Sequence, residues 1–148
     1  MRKLLSIIVL SLLLSGCTKT TSEFYGNVIS ENKVIGMPSS NKFLAKELKK
    51  LFRKNGWKVV VMKVGSINTI GSATEIVNLE TKYKSQASYV VSLSQTWHDW
   101  CIVGSDLISF DLTIINAKTG EETFVADGKN CTKIIIKDLE AQLSPFWK

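Results

Sequence analysis

YVVSLSQTW (Tyr89–Trp97), ISFDLTI (Ile108–Ile114) and ETFVA (Glu122–Ala126) decide the fold. In the first, Tyr89, Val91, Leu93 and Trp97 alternate with Ser92, Ser94 and Thr96. In the second, Ile108, Phe110, Leu112 and Ile114 alternate with Ser109, Asp111 and Thr113. A period of two puts apolar side chains on one face and polar ones on the other, so both segments read as half-buried strands. Asn116-Ala117-Lys118-Thr119-Gly120 supplies a turn, and Glu122–Ala126 returns as an antiparallel partner.

Upstream the pattern changes. Lys33-Val34-Ile35-Gly36-Met37, ended by Pro38, reads as a short buried strand. Ser39 or Ser40 is placed to N-cap a helix whose apolar residues are Leu44, Leu48, Leu51 and Phe52, and Asn55-Gly56 stops it. WKVVVM (Trp57–Met62) is a β-branched run too short for a helix. Ser72-Ala73-Thr74-Glu75 matches a capping box, and Ile76, Leu79 and Tyr83 behind it predict a second helix. Downstream, a loop through Asp127-Gly128-Lys129-Asn130 leads to a last helix carrying Ile135, Ile136, Leu139 and Leu143, ended by Pro145. The expected order is β-α-β-(α)-β-β-β-α. It describes an α/β (α+β) domain, a single mixed sheet of about 4–5 strands with helices packed on it.

The chain has 148 residues, 45% hydrophobic and 22% charged, which suits one ordinary domain and excludes wholesale disorder or a coiled-coil rod. Its net charge of +6 is unevenly spread: residues 18–63 carry +7 and residues 64–148 carry −3. Most of the positive charge lies on the first helix, in Lys42, Lys46, Lys49, Lys50, Arg53 and Lys54. That face is a candidate surface for an acidic partner, an acidic glycan or anionic lipid, set against the plainer reading of a solvated helix.

The N-terminus carries an address. Arg2 and Lys3 precede an eleven-residue apolar run, Leu4–Leu14. A membrane span needs roughly 20 residues, so this run suits a signal-peptide core, the plainer readings being an ordinary secretory signal with a chance Cys or a buried N-terminal helix. Leu14-Ser15-Gly16-Cys17 follows and resembles the lipobox of bacterial lipoproteins. The resemblance implies cleavage before Cys17, a diacylglycerol thioether on its sulfur and an acyl group on its amine. Thr18, where the family's sorting rule would need Asp for inner-membrane retention, implies the outer membrane. Residues 1–16 are then a signal peptide, 17–32 the lipidated Cys and a tether with a short strand around Phe24–Ile29, and 33–148 the globular domain. Nucleic acid is not an expected partner for such an exported, membrane-anchored chain.

Cys101 and Cys131 remain after lipidation uses Cys17. In an oxidising compartment an even pair is most simply a disulfide. A thiolate at Cys101 with His98 as base, or two separate buried thiols, are the alternatives. Thr96-Trp97-His98-Asp99-Trp100-Cys101 is the densest chemical cluster. Trp97, His98 and Trp100 are candidates for a sugar-stacking platform. The competing reading has Trp97 continuing the buried face, Trp100 covering the disulfide and His98-Asp99 in a turn. No G-x-S-x-G, H-E-x-x-H, P-loop or dinucleotide fingerprint occurs, and the chain has a single His. No enzyme, metal or cofactor is therefore expected.

Asn55-Gly56 after an amphipathic helix, the Val-rich strand behind it, Ala87-Ser88-Tyr89-Val90-Val91 and Lys118-Thr119-Gly120-Glu121 together carry a second resemblance. They are similar to small envelope proteins of TolB N-terminal-like fold, including curli-secretion and penicillin-binding-protein-activator lipoproteins. The likeness spans roughly residues 33–143 and implies an assembly or activator role in secretion, pilus or surface-structure, or peptidoglycan machinery. The expected function is a binding and assembly module for another envelope component. A carbohydrate-binding lipoprotein using Trp97, Trp100 and the Lys-rich helix is the alternative. Oligomeric state is left open.

Overall fold

A computed structural model describes residues 20–28, 32–40, 42–62, 87–102 and 104–148. Cys17 and the helix expected behind Ser72 lie outside the described residues. The elements are β1 (Thr20–Phe24), β2 (Val34–Pro38), α1 (Phe43–Lys54), β3 (Lys58–Met62), β4 (Tyr89–Cys101), β5 (Ser105–Asn116), β6 (Glu122–Cys131), α2 (Thr132–Gln142) and a closing 3-10 turn, Ser144–Trp147. They build one mixed six-stranded sheet in the order β1-β6-β5-β4-β2-β3. β4, β5, β6 and β1 form an antiparallel run, whereas β2 pairs parallel to both β3 and β4.

The alternating residues read from the sequence form the core face. Tyr89, Val91, Ile108, Leu112, Ile114, Phe124 and Ala126 are buried beneath Leu44, Leu48 and Phe52 of α1 and Ile135 and Leu139 of α2. An aromatic cluster joins the layers. Phe52, Tyr89 and Phe146 each meet Trp57 edge-on with centroids 5.8–5.9 Å apart, and the Trp57 indole donates to the Phe146 carbonyl at 2.8 Å. This hydrogen bond satisfies the one polar atom that a buried Trp brings into a core.

The sheet has six strands because Thr20–Phe24 is one of them. The expected tether over residues 17–32 and its strand around Phe24–Ile29 are corrected accordingly. β1 lies along the β6 edge from Thr20 opposite Gly128 to Phe24 opposite Phe124. The Phe24 ring sits 4.8 Å from Phe124 and 5.9 Å from Phe146. One aromatic anchor and a ladder of backbone hydrogen bonds outweigh the polar composition of TTSEF.

Two other boundaries move. α1 begins after Lys42, and Ser40 Oγ accepts the Lys42 amide at 3.2 Å, so Ser40 supports the helix start from two residues before it without being its cap. β6 continues through the expected loop to Cys131, with Asn130 buried.

Candidate functional site

β4 is 13 residues long and reaches past its neighbours. The β5–β6 ladder ends at Leu107 opposite Cys131, while β4 and β5 continue to Cys101 opposite Ser105. The last rungs of this hairpin are therefore two strands wide. Ile102, just past β4, is fully exposed, Trp100 is 72% exposed and Trp97 56% exposed. The burial expected of both tryptophans is corrected. Trp97 does continue the face of Leu93, but the helices no longer cover that face so far along the strand.

His98 and Asp99 are also not in a turn. They lie within β4, where the register shifts between Trp97 (opposite Ile108) and Asp99 (opposite Leu107). His98 is the extra residue of a β-bulge, and its Nε2 is 2.9 Å from Ser109 Oγ. Trp100 then falls opposite Asp106. Ile108 and Asp106 are two apart on β5 and share a face, so Trp97 and Trp100 share one too.

Cys101 and Cys131 form a disulfide with their Cα atoms 6.0 Å apart. They belong to β4 and β6, which flank β5. Next-nearest strands of a flat sheet stand about 9.5 Å apart, so the sheet curls here to bring the end of β4 to the end of β6. With its sulfur in this bond, Cys101 is no nucleophile for His98, and the reading of two free thiols falls with it. Among the described residues no three His, Cys, Asp or Glu side chains are grouped to hold a metal ion.

The basic helix is less free than its charge suggests. Lys42 Nζ donates to the Gln95 carbonyl at 3.2 Å, and Lys49 Nζ to the Ser40 carbonyl at 3.0 Å. Lys50 pairs with Glu47 at 2.6 Å, and Lys54 with Glu140 of α2 at 2.9 Å. Burial, and then the nearby Arg53 charge, pulls the Lys49 ammonium below its ordinary pKa. Lys46 and Arg53 are exposed and make no ion pair among the described residues. They are the two cations this face offers to a partner. Between α1 and β4 opens a cleft of about 390 Å³ lined by Ser39, Ser40, Lys42, Leu93 and Gln95, where the buried Gln95 Oε1 has no partner.

Comparison with known proteins adds one finding. The fold is that of the PelC dodecamer from Paraburkholderia phytofirmans, at TM-score 0.55 and 15% identity over 88% of this chain and 98% of that one. A single-substitution variant of the same dodecamer gives TM-score 0.55 and 14% identity, over 88% of this chain and 99% of that one. At this identity the likeness concerns the fold, and it takes in nearly the whole of those chains. No family model and no curated protein matches the chain.

Neither the exposure of the tryptophans nor their common face was readable beforehand. A bulge leaves no mark on binary patterning. The one available signal was the Thr96–Cys101 cluster itself.

Proposed function

We propose that this protein is a lipid-anchored, periplasm-facing module of the outer membrane that scaffolds or regulates another cell-envelope component. The observation that carries the reading is the start of the sheet at Thr20, three residues after the lipobox cysteine Cys17. Acylation there ties a folded domain directly to the membrane, and two or three acyl chains give the stable anchoring that one does not. The fold supports the scaffolding half, since a PelC protein of this architecture is built into a dodecamer. The surface assigned to the partner is the exposed side of α1, with Lys46 and Arg53 meeting acidic groups.

Cross-linking in intact membranes followed by affinity purification tests the reading. The expected result is acylated protein recovered with a stoichiometric envelope protein or with further copies of itself. Recovery of acylated monomer alone would overturn it. Replacing Cys17 by Ser should leave an unacylated precursor, and normal fatty-acid labelling of that variant would remove the anchor from the proposal.

A further inference from the structure

The strand registers give the molecule a top and a bottom. Gln95 of β4, Phe110 of β5, Gly128 of β6 and Thr20 of β1 stand in one row across the sheet. From that row β4 rises toward the tip. Trp97, opposite Ile108, is two residues above it, or about 7 Å, and Trp100, opposite Asp106, is four residues above it, or about 13 Å. β1 runs antiparallel to β6 and so descends from Thr20, which makes Thr20 its tip-side end. Cys17 is three residues before Thr20, and three residues reach at most about 11 Å. An acyl chain on Cys17 would therefore be tethered within about 11 Å of Thr20, close enough to reach the level of Trp97.

The exposed apolar residues are distributed to match. Seven large hydrophobic side chains are exposed among the described residues. Trp97, Trp100 and Ile102 form the tip, Ile134 lies in the first turn of α2 beside Cys131, and Phe43 opens α1 at the same end of β2. Tyr25 lies at the opposite end and Val61 on the edge strand β3.

We infer that the β4–β5 tip is a second membrane contact, with Trp97, Trp100 and Ile102 seated in the interfacial layer beside the acyl chains. The inference rests on the anchoring reading above. Trp is the side chain that favours this layer, because its ring is apolar and its N–H still finds water or headgroup oxygens. Asp99 and Asp106 flank the aromatic pair and keep the contact at headgroup depth. The bulge at His98 puts both rings on one face, and the disulfide ties the overhanging rungs to the end of β6, so the hairpin meets the bilayer already ordered. Two points of contact would also fix the orientation of the domain, with α1 running from the membrane end outward.

The test uses the full acylated chain in vesicles of phosphatidylethanolamine and phosphatidylglycerol, with and without phospholipid brominated near the headgroup. Intact mass reports the acyl chains, and tryptophan emission reports the tip. Emission of the wild type should fall in brominated vesicles. A Trp97→Phe/Trp100→Phe variant, left with Trp57 and Trp147, should show no such fall. Acylated, vesicle-bound wild type with equal emission in the two lipids overturns the membrane contact. If its emission instead responds to soluble oligosaccharides, the tryptophans are a sugar platform and the contact is likewise overturned. Protein without acyl chains overturns the anchoring reading. In that case the same quenching with vesicles in excess supports the tip if it persists and rejects it if it is lost.

Discussion

Trp97 and Trp100 share one face of β4 although three residues separate them, because His98 bulges out of the ladder and shifts the pairing by one. In a regular strand an odd separation puts two side chains on opposite faces. One inserted residue therefore makes a double aromatic surface from a sequence that, read as a plain strand, would split it.

That surface should be nearly free of a stability role. Trp97→Ser and Trp100→Ser are expected to change unfolding free energy by no more than about 0.5 kcal/mol, as exposed positions do. Trp57→Ala, which removes a buried ring and leaves the Phe146 carbonyl without its donor, should cost about 3–5 kcal/mol. Urea unfolding of the soluble domain distinguishes the two classes.

The disulfide closes a loop between residues 30 apart. Cys101→Ser/Cys131→Ser should lose about 2–4 kcal/mol. Hydrogen exchange should rise most at residues 100–101 and 105–106, the rungs without a third strand. Non-reducing peptide mapping of the wild type should recover Cys101 and Cys131 as one linked pair. Two free, alkylatable thiols would refute the assignment.

Phe24→Ala tests whether β1 belongs to the domain. Its ring is only partly buried, so a loss of about 2–3 kcal/mol is expected, at the lower end of the range for aromatic truncation. A tether residue would show no loss in the same thermal or denaturant unfolding.

On the basic helix, Lys46→Glu/Arg53→Glu should leave the melting curve unchanged and abolish partner recovery from cross-linked membranes. The lost binding should be mimicked by raising salt, since charges about 10 Å apart are screened near 0.1 M. Lys49→Glu should act differently. It replaces a part-buried donor to the Ser40 carbonyl with an acceptor, so its cost of about 1–3 kcal/mol should be visible in unfolding.

The sequence by itself determined the strands β2 to β6, the helix with Leu44, Leu48, Leu51 and Phe52, and the last helix, and it made a Cys101–Cys131 disulfide the simplest of three readings. These are decided locally, by hydrophobic period, by turn residues and by cysteine parity. It set the first strand around Phe24–Ile29 in a tether and missed β1 as a sheet member, because TTSEF has a single large apolar residue and is a strand only where β6 offers an open edge and Phe124 and Phe146 receive Phe24. Nor did it reveal which lysines of α1 are occupied. Those partners, Gln95, Ser40 and Glu140, come from distant parts of the chain or lie before the helix. The exposure of Trp97 and Trp100 was decided by tertiary structure alone. Alternation says which way a side chain points, but burial needs something above it, and the helices end before the strand does.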